Sequence, residues 1–409
     1  MLAAGVCPSG KGAYTGTTAG KTGRAVLTRR GAARLRAGHP WIFRSDLAEA
    51  EGGAGDIVRV TDRASRFLGW AFYNPKSEIS LRIAEREDRE IDEPWFRTRI
   101  EKALAYRESL QIDADAYRLL HAEADGLPGL VVDRYGKYCV LQVGSAAVER
   151  RLDWILAALE DSVAPAGVLL RGESAARKRE GLETGVRSVR GEVPATVVVR
   201  EGPVRYEART WTGQKTGCFL DQRENHGAAA RYLNGAARVL DVFSYAGGFA
   251  LHAARVAEKA EVVDASGAAL ELARRNAELN GLPNVSFTRA NAFDLLRERA
   301  DAGERYDAVI LDPPAFAKTR RDVPHATRAY KEINLRAMKM LAPGGILVTC
   351  SCSHHFSREL MEETLRSAAA DAGRTMRVRE WRGQATDHPE ILTVPETRYL
   401  KCAILERAG

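Results

Sequence analysis

Asp241-Val242-Phe243-Ser244-Tyr245-Ala246-Gly247-Gly248-Phe249 ends the apolar run ARVL and leads into a helix-forming stretch. Strand, glycine-containing turn and helix in that order begin a β–α unit. Small residues let the backbone approach a ligand, and a helix start offers free N–H groups. A dinucleotide site would place G-x-G-x-x-G here for a pyrophosphate. That spacing is absent, and Asp241 would repel phosphate. The same carboxylate would attract the ammonium of S-adenosylmethionine, so the segment reads as a cradle for that cofactor. Ser244, Tyr245, Gly247, Gly248 and Phe249 form its turn.

The alternation continues downstream. AEVVDAS precedes a helix over 268–280, and NVSFTRA precedes 293–300. YDAVILD precedes 328–341, and GILVTCS precedes 358–370. Repeated strand–helix alternation implies a doubly wound parallel sheet. MRVREW and YLKCAILE then suggest an antiparallel hairpin at one edge. The expected fold is α/β: a class I Rossmann-like methyltransferase domain over 197–409, built on a mostly parallel seven-stranded sheet. Asp264 ends the second strand, 23 residues after Asp241, where an acid can accept both ribose hydroxyls. Asn291 and Ala292 follow the third strand and would flank the adenine.

Upstream, 25–92 carries short β-type segments (AVLT, GDIVRVTD, FLGWAFY, EISLRI) around a basic loop, as in a small β-barrel. Residues 93–196 mix a helix over 95–110, strand-like runs and a second helix over 147–159, giving a separate central α+β domain. Residues 1–24 lack hydrophobic periodicity and read as a disordered tail.

The bulk composition excludes several classes. With 409 residues and 45% apolar content, two or three cores are affordable. No apolar run is long enough to span a membrane, and the N-terminus lacks an apolar h-region, so no signal peptide is expected. The six cysteines (7, 139, 218, 350, 352 and 402) show neither a disulfide framework nor CxxC metal spacing, so no metal is expected. A reduced, cytoplasmic protein follows. The net charge of +7 leans towards a polyanionic partner.

Two strand ends carry chemistry. Asp312-Pro313-Pro314-Ala315-Phe316 closes the fourth strand, and two prolines force the chain out of the sheet there. Thr349-Cys350-Ser351-Cys352-Ser353 closes the neighbouring fifth. A thiolate attacking pyrimidine C6 makes C5 nucleophilic enough to take a methyl group. Asp312 against the base edge would stabilise charge in that adduct. Cys352 lies further towards the open end than Cys350, but both share strand parity, so geometry alone leaves the choice open.

These motifs, with Gly38-His39-Pro40-Trp41-Ile42-Phe43, Glu123 to Leu130, Gly213-Gln214-Lys215-Thr216-Gly217 and Asp221-Gln222-Arg223, carry a resemblance. From about residue 25 to 407 the chain resembles the bacterial 23S ribosomal RNA 5-methylcytosine methyltransferases with an N-terminal PUA domain. The resemblance implies S-adenosylmethionine as cofactor, an RNA-binding PUA barrel and a Ser-Cys-Ser nucleophile, which maps onto Cys352. It places Gln222 with the cofactor residues and Gly213–Arg223 over the pocket. It also implies that the chain can form a homodimer. In many methyltransferases an acid stands where this chain has Asn291.

The RNA would be held by basic residues. Residues 1–50 contain eight Lys/Arg and two acids. Arg36, His39 and Arg44 on the barrel, with Lys215 and Arg223 near the pocket, are the candidates. The target base must be flipped to reach a thiol, which favours 23S RNA that is protein-free or partly assembled. Three alternatives remain at this stage. The Asp-Pro-Pro-x-Phe run could serve methylation of a base amino group, or the adduct chemistry could serve uracil C5. The domain could also be catalytically silent in an RNA-binding assembly factor. Asp387 and Glu396 are candidate bases for the C5 proton, left outside the catalytic set.

Overall fold

The computed structural model describes residues 23–409. The proposed tail therefore lies outside the described residues up to 22, and Gly23 already belongs to the first strand. A six-stranded sheet comes first, with strands Gly23–Leu27 (β1), Trp41–Phe43 (β2), Leu47–Glu51 (β3), Asp56–Thr61 (β4), Phe67–Tyr73 (β5) and Ile79–Glu85 (β6). Their order is β2-β6-β5-β4-β1-β3. The basic loop expected over Arg36–Arg44 is preceded by a helix that the sequence reading did not assign, Arg29–Arg36 (α1). The Thr28 hydroxyl caps it by accepting from Gly31 N at 3.2 Å.

A second sheet follows helix Glu93–Ser109 (α2). Its strands are Ala116–His121 (β7), Leu130–Tyr135 (β8), Tyr138–Val143 (β9), Gly167–Arg171 (β10) and Val186–Gly191 (β11). Helices Ala146–Glu149 (α3), Leu152–Val163 (α4) and Ala175–Arg179 (α5) connect them. The helix expected over 147–159 is thus two helices. Val197–Glu201 (β12) and Val204–Ala208 (β13) make a hairpin, and Arg223–Tyr232 forms helix α6.

The third sheet builds the site. Its strands are Val239–Val242 (β14), Ala260–Asp264 (β15), Val285–Arg289 (β16), Tyr306–Leu311 (β17), Leu341–Ser351 (β18), Met376–Arg382 (β19) and Lys401–Arg407 (β20). Helices Gly248–Ala254 (α7), Gly267–Leu279 (α8), Ala292–Asp301 (α9), Val323–Met340 (α10) and Arg358–Ala372 (α11) alternate with them. The order is β16-β15-β14-β17-β18-β20-β19. Five strands are parallel, and β20 runs antiparallel to both β18 and β19.

Alternate side chains explain the layers. Leu240, Val242, Val309 and Leu311 pack with Leu295, Tyr330 and Met361 from α9, α10 and α11. Val239, Ala308 and Ile310 pack on the other face with Ala228, Ala250 and Leu270 from α6, α7 and α8. A sheet buried on both faces needs apolar strands, and that is why polar residues gather at the strand ends. The carboxyl ends of β14, β15, β17 and β18 therefore open onto one cavity.

Candidate active site

The cavity has a volume of about 720 Å³. The turn after β14 forms its floor. Phe243 and Tyr245 both adopt left-handed backbone conformations, at φ 65° and 48°. Non-glycine residues rarely hold such angles, and strain of this kind gathers at ligand-binding turns. Asp241 fastens the turn: its Oδ2 accepts from Ser244 Oγ and, at 3.0 Å, from Ala250 N. Its Oδ1 is buried without a partner. Burial, with the charge of Asp312 adding to it, pushes the Asp241 carboxyl up to about 7. An unmet acceptor on a disfavoured buried acid fits a cationic ammonium donor.

Asp264 also lines the cavity. Its oxygens accept from Tyr245 N at 3.0 Å and Ser266 N at 2.8 Å, so each oxygen keeps a lone pair for a ribose hydroxyl. Asn291 reaches the cavity too, but its Oδ1 caps α9 by accepting from Phe293 N at 2.9 Å. Its side chain is thus engaged in helix capping, a structural role the sequence reading did not foresee. Ala292, Ser244, Tyr245, Gly248 and Phe249 line the cavity, whereas Gly247 does not. Gly247 shapes the turn instead, with φ 86°.

Asp312, Pro313, Pro314, Phe316 and Cys352 line the part of the cavity beyond β17 and β18. Ser351 and Ser353 are fully buried and point away from the cavity. Ser351 Oγ donates to Tyr330 OH at 2.9 Å, and Ala317 N donates to Ser353 Oγ at 3.1 Å. The two hydroxyls clamp the turn to α10 and to the Asp312 loop, so Cys352 faces the cavity. Lys401 Nζ donates to the carbonyls of Ser353 and Tyr399 at 2.7 and 2.9 Å and pins the same turn. Cys350 lies deeper, fully buried opposite Cys402. Strand parity could not separate the two thiols. Burial does, because β18 ends at Ser351 and Cys352 lies beyond the sheet.

Burial pushes the Cys352 thiol up, and the Asp312 charge adds to it. Both influences favour the neutral thiol over the thiolate. Burial and the charge of Asp221 raise Asp312 to about 6. Asn225 Nδ2 donates to Gln222 Oε1 at 2.6 Å, which leaves the Gln222 amide nitrogen free to favour the Asp312 carboxylate. Gln222 thus serves Asp312 as well as lining the cofactor space.

The expected RNA contacts are dispersed. Lys215 lines the cavity and is ion-paired with Asp221. Arg223 is buried and bonds Asp387 at 2.8 Å. Its part is internal, which corrects its reading as an RNA contact. On the barrel, Arg36 pairs with Asp62 at 2.8 Å with its side chain half-exposed. His39 meets Glu396 at 3.2 Å, and Arg44 donates to the carbonyls of Pro75 and Lys76. Neither Asp387 nor Glu396 lines the cavity. Sequence reading missed Glu201 and His226, which do. The alternating strands around Gly202-Pro203 were the available signal for the Glu201 hairpin.

Comparison with known proteins agrees with this geometry. Residues 25–86 match the model of a PUA-like domain, and residues 146–381 match that of an S-adenosylmethionine-dependent methyltransferase. The ribosomal RNA large subunit methyltransferase I of Klebsiella pneumoniae (strain 342) is 39% identical over 92% of this chain and 96% of its own. Its counterpart in Photobacterium profundum is 41% identical over 90% and 95%. A solved chain from Streptococcus mutans, assigned to the same methyltransferase class, superposes with a TM-score of 0.80. It has 19% identity and covers 94% of this chain and 99% of its own, a likeness of fold. With cofactor cradle, PUA-like sheet and relatives in agreement, the chain belongs to the S-adenosylmethionine-dependent methyltransferases, among the proteins named ribosomal RNA large subunit methyltransferase I.

Proposed function

We propose that this protein methylates large-subunit ribosomal RNA in the cytoplasm, forming 5-methylcytosine through a transient bond between Cys352 and C6 of the base. The relatives' names supply the RNA class. The observation that carries the chemistry is the shared cavity: Cys352 and Asp312 line the same space as the Asp241 turn.

The bound cofactor supplies an electrophilic methyl group. The protein's residues do the rest. Cys352 sulfur bonds to C6 as its proton passes to water, and the C5–C6 π electrons move towards C5 and the ring. Asp312, raised to about 6 by burial and Asp221, is protonated often enough near neutrality to hydrogen-bond N3 and stabilise that charge. After C5 is methylated, the C5 proton passes to water, its bonding pair restores the C5–C6 double bond, and the sulfur leaves C6 with the C–S pair. Phe316 lies 4.8 Å from Tyr330, centroid to centroid, and supplies an aromatic wall for a flipped base.

In this reading the barrel over 25–92 and the central domain over 93–196 hold the RNA, and the catalytic domain spans 197–409. The barrel contributes α1, whose Arg29 and Arg30 are exposed, together with Arg36 and Arg44. A buried target base favours protein-free or partly assembled RNA. Methylation of large-subunit RNA transcripts, followed by mass mapping, tests the proposal. One or more 5-methylcytosines are expected. A methylated amino group or 5-methyluridine as the product would refute it.

A further inference from the structure

Glu201 at the end of β12, His226 on α6 and His252 on α7 meet beside Gly248. Neither the base chemistry nor the nucleoside contacts use them. Glu201 Oε1 bonds His226 Nδ1 at 2.7 Å. His252 Nε2 lies 3.1 Å from the same oxygen but makes no aligned hydrogen bond. The groups facing His226 are Glu201 from β12, His252 from α7, Asp241 from β14 and Asp312 beyond β17. Burial disfavours a charged imidazole, yet Glu201 outweighs it and holds His226 above its ordinary value. Burial leaves His252 neutral, pushed down to about 4. Within the cluster, Glu201 therefore favours a proton on His226 over one on His252.

His226 is 7% exposed and lines the cavity, and its ring packs on Gly248. Among the described residues, the ring's hydrogen bond is made by Nδ1, and none reaches Nε2. An imidazole nitrogen on a ring whose proton Glu201 favours thus meets the cavity without an acceptor. Asp264 marks the nucleoside end of that cavity, and Cys352 with Asp312 marks the methyl-acceptor side. Asp241 and His226 occupy the remaining end. An amino-acid group brings both an ammonium and a carboxylate there. Asp241 suits the first, and the second needs a cation. Lys215 is already committed to Asp221, and Arg209, which also lines the cavity, places its charge near Tyr245.

We propose that His226, held by Glu201, donates its Nε2–H to the carboxylate of the cofactor's amino-acid end. This rests on the cofactor of the family and is independent of which base is methylated.

Titration calorimetry of the full chain with S-adenosylmethionine and with its decarboxylated analogue tests it, without any RNA. His226→Asn keeps an amide nitrogen for Glu201 and removes the Nε2 donor. It should weaken S-adenosylmethionine about tenfold or more, as loss of a charge-assisted bond does. Binding of the decarboxylated analogue should change less than about twofold. His226→Arg should restore the preference for the carboxylate-bearing ligand. Should His226→Asn unfold, Glu201→Gln should show the same selective loss. Equal weakening of both ligands, or of neither, overturns the proposal. So does a stoichiometric divalent metal that survives dialysis of the wild type and is lost in His252→Ala, because the cluster would then be a cation site.

Discussion

Gly248→Ala puts a methyl group where the His226 ring already lies. The new Cβ would stand 2.6 Å from both Cε1 and Nε2 of that ring. Carbon contacts settle near about 3.5 Å, so the ring must retreat by roughly 0.9 Å. It has little freedom to do so: Nδ1 is tied to Glu201 at 2.7 Å, and the ring meets Phe249 edge-on at 4.6 Å. Overpacking of this kind costs about 1–3 kcal/mol. Gly248 is the first residue of α7, so the gain of about 0.5–1 kcal/mol for Ala over Gly in a helix interior applies only in small part. The net expectation is a loss of about 1–2 kcal/mol, a fall of a few degrees in unfolding temperature. Cofactor affinity should fall as well, because Nε2 leaves its place. In the double variant Gly248→Ala/His226→Ala the clash is gone, and the two stability losses should not add. Scanning calorimetry with cofactor titration reads both effects. A Gly248→Ala protein as stable as wild type, binding the cofactor as tightly, would refute this packing argument.

Two further variants probe other parts of the account. Cys350→Ala should cost about 1 kcal/mol through a small buried cavity and leave methyl transfer within about twofold of wild type. Abolished transfer in a folded Cys350→Ala protein would reassign the nucleophile. Glu85 is buried, which raises its carboxyl, but the Trp95 indole, the Arg89 guanidinium and two backbone N–H groups outweigh that and bring it to about 2. Its folded value lies below an unfolded value of about 4.3, so the stability it contributes is complete above that pH and is lost as pH falls towards 2. Glu85→Gln should lower stability at neutral pH and flatten the acid limb of the unfolding profile. An unchanged limb would contradict the assignment.

The catalytic sheet was legible because parallel strands buried on both faces leave their acids at the ends. Asp241, Asp264 and Asp312 each mark a carboxyl end and each line the cavity. What escaped depends on contacts between distant segments. Helix α1 was hidden by Gly31, which a helix tolerates poorly but which this one needs, since a Cβ there would meet Asp46 O at 2.5 Å. Helix α6 starts without a side-chain cap, directly from a short 3₁₀ turn, and its sequence RENHGAAARY gives a weak apolar stripe. The meeting of Glu201, His226 and His252 arises from three elements, and no local spacing encodes it. Arg223 reads as a surface cation until Asp387, far along the chain, arrives to bury it. The serines beside Cys352 carry the opposite lesson: flanking residues of ordinary type orient the thiol by turning inward.

The central claim is the bond between Cys352 and the base. Large-subunit RNA carrying 5-fluorocytidine cannot lose a proton from C5, so the adduct should persist after methyl transfer. Denaturing electrophoresis should show a cofactor-dependent protein–RNA complex for wild type and for Cys350→Ala, and none for Cys352→Ala. A complex that survives in Cys352→Ala, or none in the wild type while unmodified RNA is methylated, would contradict the account.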